Sequence, residues 1–237
     1  MISLLRKGLV AAAITFASTL PMQAQSLRVS PVTLDVQAPG AATSLTIRNE
    51  GRDTMTAQAR SFRWIQQGGK ESLQRTGDVV VSPPAVRLPP GATQIIRVVR
   101  TSKAPVRGEE AYRIIINEVP DQAHRRGGAV NFATELRIPV FFSGRGASNP
   151  AVAWTLRNAG NATYLVVQNQ GDTRLRLADL TLAGASGASV SHPGLVGYVL
   201  GGATMQWPVA AAGRLGTGAR VKAQTNLGAV DAGIAAR

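Results

Sequence analysis

The stretch "GGAVNFATELRIPVFF", Gly127 to Phe142, governs how the rest of the chain is read. After a glycine pair it alternates. Val130, Phe132, Thr134, Leu136, Ile138 and Val140 fall on one face, and Asn131, Ala133, Glu135, Arg137 and Pro139 on the other. Such period-two alternation predicts a β-strand with one buried face. Strands usually run ~5–6 residues, and this one is about twice that, with an arginine and a proline in its second half. Its length raises the question of what it pairs with.

Elsewhere, nearly every legible segment has strand character. "SLRVSPVTLDV", "ATSLTIRN", "TMTAQARSFRW", "DVVVSP", "TQIIRVVR" and "AYRIIINEV" alternate or run β-branched, separated by glycine- and proline-rich turn chemistry. With Gly127 onward this makes about seven strands before residue 143. The spacing, without amphipathic helices between, predicts an all-β sandwich of immunoglobulin type. "SGRGASNP" (Ser143 to Pro150) has almost no apolar content and marks a boundary. The C-terminal part resembles a second copy: "LTIRNEGRDT" (Leu45 to Thr54) matches "LVVQNQGDT" (Leu165 to Thr173), and "VRLPPGATQIIRV" (Val86 to Val98) matches "YVLGGATMQWPV" (Tyr198 to Val209). Two matches in the same order favour two tandem immunoglobulin-like sandwiches, residues 25–143 and 144–237, with a cleft between them.

The first 24 residues read as a secretory signal peptide: a basic "MISLLRK", an apolar "GLVAAAITFASTL", and "PMQA" as the cleavage end. The apolar run is shorter than the ~20 residues a membrane span needs, so the expectation is an exported protein without membrane insertion. Without Arg6 and Lys7 the chain keeps 24 basic residues against 13 acidic. They are scattered rather than clustered, which argues against nucleic acid as a partner. A basic surface suits an acidic partner or an exposed carboxylate. There is no cysteine, so the fold rests on its hydrophobic core.

The inventory for catalysis is thin. The two histidines, His124 in "HRRGG" and His192 in "SHPG", both read as loop residues without a metal-ligand partner at suitable spacing. No nucleophile elbow or phosphate-cradling glycine loop occurs. Glu109 and Glu110 read as surface charge or a structural ion pair in a turn before a strand. The expectation is a protein that is not an enzyme and uses no cofactor or metal.

Three stretches resemble the PapD-like periplasmic chaperones of the chaperone–usher pathway. They are "SPPAVRLPPGATQIIRVVR" (Ser82 to Arg100), "EEAYRIIINEVPD" (Glu109 to Asp121) and "AVNFATELRIPVFF" (Ala129 to Phe142). Without cysteine, and with a short loop between Pro120 and Gly127, the chain is most similar to the short-loop or archaic, spore-coat-like branches. The resemblance implies a chaperone in the periplasm for pilus or fimbrial subunits, which it would pass to an outer-membrane usher. In such systems the long final strand of the first domain is lent to a subunit that lacks its own last strand, a form of strand addition. Val130, Phe132 and Thr134 would be the lent side chains, with Leu136 and Ile138 continuing into the chaperone's own core. An unoccupied edge of this kind is an aggregation hazard, which implies self-association of the unloaded protein.

Arg137 aligns with the family's strand-end basic residue, which holds the subunit's C-terminal carboxylate; guanidinium and carboxylate match in two-pronged fashion. The family's other anchoring arginine falls here on Pro31, so either Arg28 or Arg113 would supply the second charge. A hairpin of 111–120 with 128–142 is expected to set Arg113 opposite Glu135. Of the family's interdomain ion network Glu109 is present, whereas Phe141 stands where the arginine belongs. The alternative functions are an exported structural subunit or adhesin, and a small-molecule-binding module or sandwich hydrolase.

Overall fold

The computed structural model describes residues 27–119, 134–160, 162–184, 187–209, 215 and 218–236. The expected signal peptide, His124, Val130 and Phe132 lie outside them. The described chain is all strand and turn, without a helix.

Ten strands build the first sandwich: β1 (Leu27–Ser30), β2 (Leu34–Gln37), β3 (Ala42–Asn49), β4 (Met55–Gln67), β5 (Lys70–Arg75), β6 (Val79–Ser82), β7 (Ala85–Leu88), β8 (Thr93–Arg100), β9 (Glu109–Val119) and β10 (Glu135–Ser143). One sheet has the order β1-β3-β8-β6; the other runs β2-β10-β9-β4-β5, with β7 also on β4. "SLRVSPVTLDV", expected as one strand, is two. The exposed Pro31 separates them, lacking the N–H a ladder needs, and β1 and β2 join opposite sheets. Strand β5, "KESLQR", shows no alternation because it is exposed almost throughout. It follows a two-glycine turn in which Gly68 and Gly69 both have positive φ, the conformation that suits a tight hairpin.

Eight strands build the second sandwich: β11 (Val152–Ala159), β12 (Ala162–Asn169), β13 (Leu175–Ala183), β14 (Ser189–Val199), β15 (Thr204–Pro208), β16 (Arg220–Thr225), β17 (Gly228–Gly233) and β18 (Ala235–Ala236). Its sheets run β15-β12-β11-β18 and β14-β13-β16-β17. Strand assignment corrects the reading of His192: it lies in β14 opposite Leu180, half-buried, with its Nε2 shielded and unpartnered. Glu109 and Glu110 likewise open β9 rather than precede it.

Each sandwich has its own core. In the first, Leu45, Ile47, Tyr112, Ile114, Ile116, Val140 and Phe142 are buried together. The second core, around Leu165, Leu177 and Val221, extends across the joint to take in Trp64, Ala111 and Phe141 of the first. There Trp64, Phe141 and Tyr198 form an aromatic triangle with centroids 5.4–6.0 Å apart.

Polar contacts align the joint. The Gln66 amide donates to the Tyr198 carbonyl and accepts from the Leu200 N–H, both at 2.9 Å, so a side chain imitates a strand partner. Arg174, from the second sandwich, donates to the buried Glu109 carboxylate and to Asp35, and its guanidinium lies 3.6 Å from the Phe141 ring centre. The interdomain arginine missing from position 141 therefore comes from the other side of the joint.

Candidate functional site

Strand β10 pairs antiparallel with β9 along its whole length. The ladder reaches back to Thr134, whose carbonyl accepts from the Glu118 N–H at 3.0 Å. On the other side β2 covers only Val140 to Ser143. From Thr134 to Pro139 no strand pairs with that second side among the described residues. In an antiparallel ladder alternate residues bond to the same neighbour. The even-numbered residues are committed to β9, and the N–H and C=O groups of Glu135 and Arg137 point to the open side. Pro139 sits where its missing N–H would have faced outward, a position at which sheets tolerate proline.

The alternation read from the sequence fixes the faces. Leu136, Ile138, Val140 and Phe142 all pack on the first core. The odd-numbered residues lie on the outer face of the six-stranded sheet, which turns towards the joint. Register on that face sets Arg137 beside Ile115 and Arg60, and Pro139 beside Arg113 and Phe62. Ile115 faces outward yet is only 7 % exposed, as happens where long arginine stems cover apolar surface.

Arg113 is therefore opposite Pro139, and Glu135 is opposite Asn117. The expected Arg113–Glu135 pair does not form, because the hairpin register differs from the one inferred. Glu135 instead accepts from Arg137 Nε at 2.8 Å, an exposed pair within one strand. Arg113 donates to Glu71 Oε2 at 3.1 Å and stacks over Trp64, 3.9 Å from the ring centre. The same Glu71 oxygen accepts from Trp64 Nε1 at 3.0 Å. Burial holds the Arg113 pKa below the ordinary guanidinium range; Glu71 opposes that shift, and the like charge of Arg137 adds to it. The Arg113 Nε is shielded from solvent and has no partner. Arg28 lies on the outer face of the other sheet, paired with Glu50, so of the two candidates for a second charge only Arg113 accompanies Arg137.

The sequence reading missed Arg60, Trp64 and Glu71. All three sit on β4 or β5, whose relation to β9 and β10 is set by sheet order rather than by any local pattern. Near them a cleft of about 230 Å³, lined in part by Trp64, Gln66, Glu109 and Leu200, is smaller than the ~300–1,000 Å³ usual for small-molecule sites. No cluster of potential metal ligands occurs among the described residues.

The profile of the family described as "Pili and flagellar-assembly chaperone, PapD N-terminal domain" matches residues 26–147, just over half of the chain. The chain belongs to this chaperone family. Among solved structures, the chaperone resembles the CsuC–CsuE chaperone–tip adhesion subunit pre-assembly complex from the archaic chaperone–usher Csu pili of Acinetobacter baumannii. Identity there is 22%, the TM-score 0.70, and the match covers 89% of this chain and 99% of that one. The YadV chaperone matches at 17% identity and a TM-score of 0.66, covering 88% and 99%. The E. coli chaperone DraB matches at 20% identity and a TM-score of 0.60, covering 89% and 97%. At these identities the likeness concerns the fold, two tandem immunoglobulin-like sandwiches. Comparison with curated protein sequences returned no match.

Proposed function

We propose that this chaperone works in the periplasm, binding pilus subunits by lending them the open edge of β10 and delivering them to an outer-membrane usher. The observation that carries this reading is the length of β10 left without a strand partner among the described residues, from Glu135 to Pro139, on a strand whose other edge and core face are fully engaged. Val130, Phe132 and Thr134 would continue the same apolar face into the subunit's unfilled groove. Main-chain bonds from Glu135 and Arg137 would supply affinity, and alternate side chains would supply selectivity. Arg137 and Arg113 would receive the subunit's C-terminal carboxylate, ending the guest strand near Pro139, where the chaperone's own β2 takes over. Residues 25–143 would form the lending domain and 144–237 the second wall of the cleft. No step in this scheme calls for catalysis; release would come from exchange of the lent strand for a better-fitting one.

The structural relatives support the reading in kind. Besides the Csu assembly, they include a Salmonella enterica SafA pilin in complex with the SafB chaperone, matched at 18% identity with a TM-score of 0.61. The test is co-expression, with export, alongside each candidate pilus subunit from the same organism. The wild type should retain a stoichiometric partner on purification; Phe132→Asp should lose it, and Arg137→Ala should weaken it. A partner retained at full stoichiometry by Phe132→Asp would overturn strand lending.

A further inference from the structure

We infer that Glu71 is a built-in occupant of the carboxylate anchor, a side chain that neutralises Arg113 in the unloaded chaperone and must yield part of it to the incoming subunit terminus. The inference rests on the anchor reading above.

On the outer face of the six-stranded sheet three guanidiniums, Arg60, Arg113 and Arg137, are register neighbours around Ile115. Arg75 lies one strand further on, beside Phe62. The carboxylates that answer them are Glu71 on Arg113 and Glu135 on Arg137. The Asn117 amide, oriented by its neighbours, accepts from Arg60 at 2.8 Å. Positive charge exceeds negative among these groups, which favours the arrival of a further carboxylate.

Glu71 is the better placed of the two to compete with a guest. Arg113 is mostly buried, with 15% of its side chain exposed, whereas Glu71 is 44% exposed and hangs from an edge strand. The carboxylate can therefore swing into solvent while the guanidinium stays. Glu71 also has a second tether, the Trp64 indole, so it is held in place without depending on Arg113 alone. A guest carboxylate arriving at Arg113 meets a like charge that it must displace or tolerate. A pair whose carboxylate stands in solvent is screened and weak, which suits an occupant that has to give way. The arrangement spares the empty protein an unpaired, mostly buried cation near Arg137. It also makes an uncharged chain end less able to hold the site, because only a carboxylate replaces what Glu71 supplies.

The probe is a synthetic seven-residue peptide of alternating valine and threonine, N-acetylated, made once with a free C-terminal carboxylate and once as the amide. Binding to the full-length mature protein is measured by calorimetry, and the Trp64 indole N–H is followed by NMR. Wild type should bind the acid more tightly than the amide. Glu71→Gln should tighten the acid by about 1.5- to 5-fold, the scale of one solvent-accessible charge pair, and leave the amide unchanged. In wild type the acid, but not the amide, should shift the Trp64 indole resonance. If wild type separates acid from amide but Glu71→Gln alters neither affinity, or alters both alike, the placeholder role is wrong and the anchor stands. If wild type binds acid and amide equally, or binds neither, the anchor reading fails, and this inference fails with it.

Discussion

The two sandwiches solve one loop in the same way and one edge in opposite ways. Asn49 ends β3 and Asn169 ends β12; both are fully buried. Asn49 accepts from the Gly51 N–H and donates to the carbonyls of Asp53 and Leu88. Asn169 accepts from the N–H groups of Gly171 and Ala151 and donates to the carbonyls of Thr173, Val199 and Leu200. Each main-chain N–H donates to an alanine carbonyl, of Ala92 and Ala203 respectively. A buried amide with its bonds satisfied pins the chain where it leaves the sheet.

The edges differ. By neighbour pattern, β4, β9 and β10 correspond to β13, β16 and β17. Yet β10 is "ELRIPVFFS", whereas β17 is "GAVDAG". The second edge is short and glycine-rich and carries Asp231, paired with Arg220 and near Lys222, the usual means of blunting an edge. The first edge is long and carries Arg137 on its exposed side. Sandwich architecture is common property of the two halves, and the edge that was not blunted is the one the proposed strand lending would use.

Substitutions in each half put that contrast at risk. The greatest loss is expected at the Arg100–Glu110 pair, which lies only in the first sandwich, at 2.8 Å and mostly buried. Arg100→Met leaves Glu110 uncompensated and should cost about 3–5 kcal/mol in a denaturant titration. The Arg100 hydrogen bond, followed by that of Tyr112, holds the Glu110 pKa below 4.5 against burial. Its stabilisation is therefore complete above about pH 4.5 and is lost as pH falls through the lowered folded value. Arg100→Met should flatten that acid limb. Burial, then the bond to Glu110, pushes the Tyr112 phenol above its ordinary range, so stability should also decline as pH rises past about 10.

Next come the paired asparagines. Asn169→Ala should cost about 2–4 kcal/mol, and Asn49→Ala somewhat less, because fewer main-chain groups lose a partner. Equal costs would mean that the extra bonds of Asn169 are redundant. Arg174→Ala strands the buried Glu109 and should cost about 2–3 kcal/mol, separating the unfolding of the two halves into distinct calorimetric transitions. A single sharp transition would show that the aromatic triangle and the Gln66 bonds suffice to couple them. Arg28→Ala, which removes an exposed pair, should change stability by less than ~0.5 kcal/mol.

The sequence displayed its strands and its duplication because both are local patterns. Alternation placed Leu136, Ile138 and Val140 on the core side, and Asn-x-Gly marked both loops. It concealed β5, where Leu73 is the lone apolar side chain, and it misjudged Arg113, because the register of β10 on β9 cannot be counted from the residues alone. Glu109 was recognised without its partner: Arg174 lies 65 positions away and is joined to it only by the packing of one sandwich on the other. Arg60, Trp64 and Glu71 were invisible for a related reason, since sheet order, not sequence order, makes β4 a neighbour of β9.

Strand lending requires that the outward main-chain groups of β10 be taken up by a guest strand. Amide hydrogen exchange, residue by residue, tests this on the chaperone alone and with a co-purified pilus subunit. The N–H groups of Glu135 and Arg137 should exchange rapidly in the monomeric free protein and become strongly protected in the complex, while Ile138 and Val140 are protected in both. If Glu135 and Arg137 stay unprotected when the subunit is bound, and protection appears on another surface, the edge of β10 is not what the subunit binds.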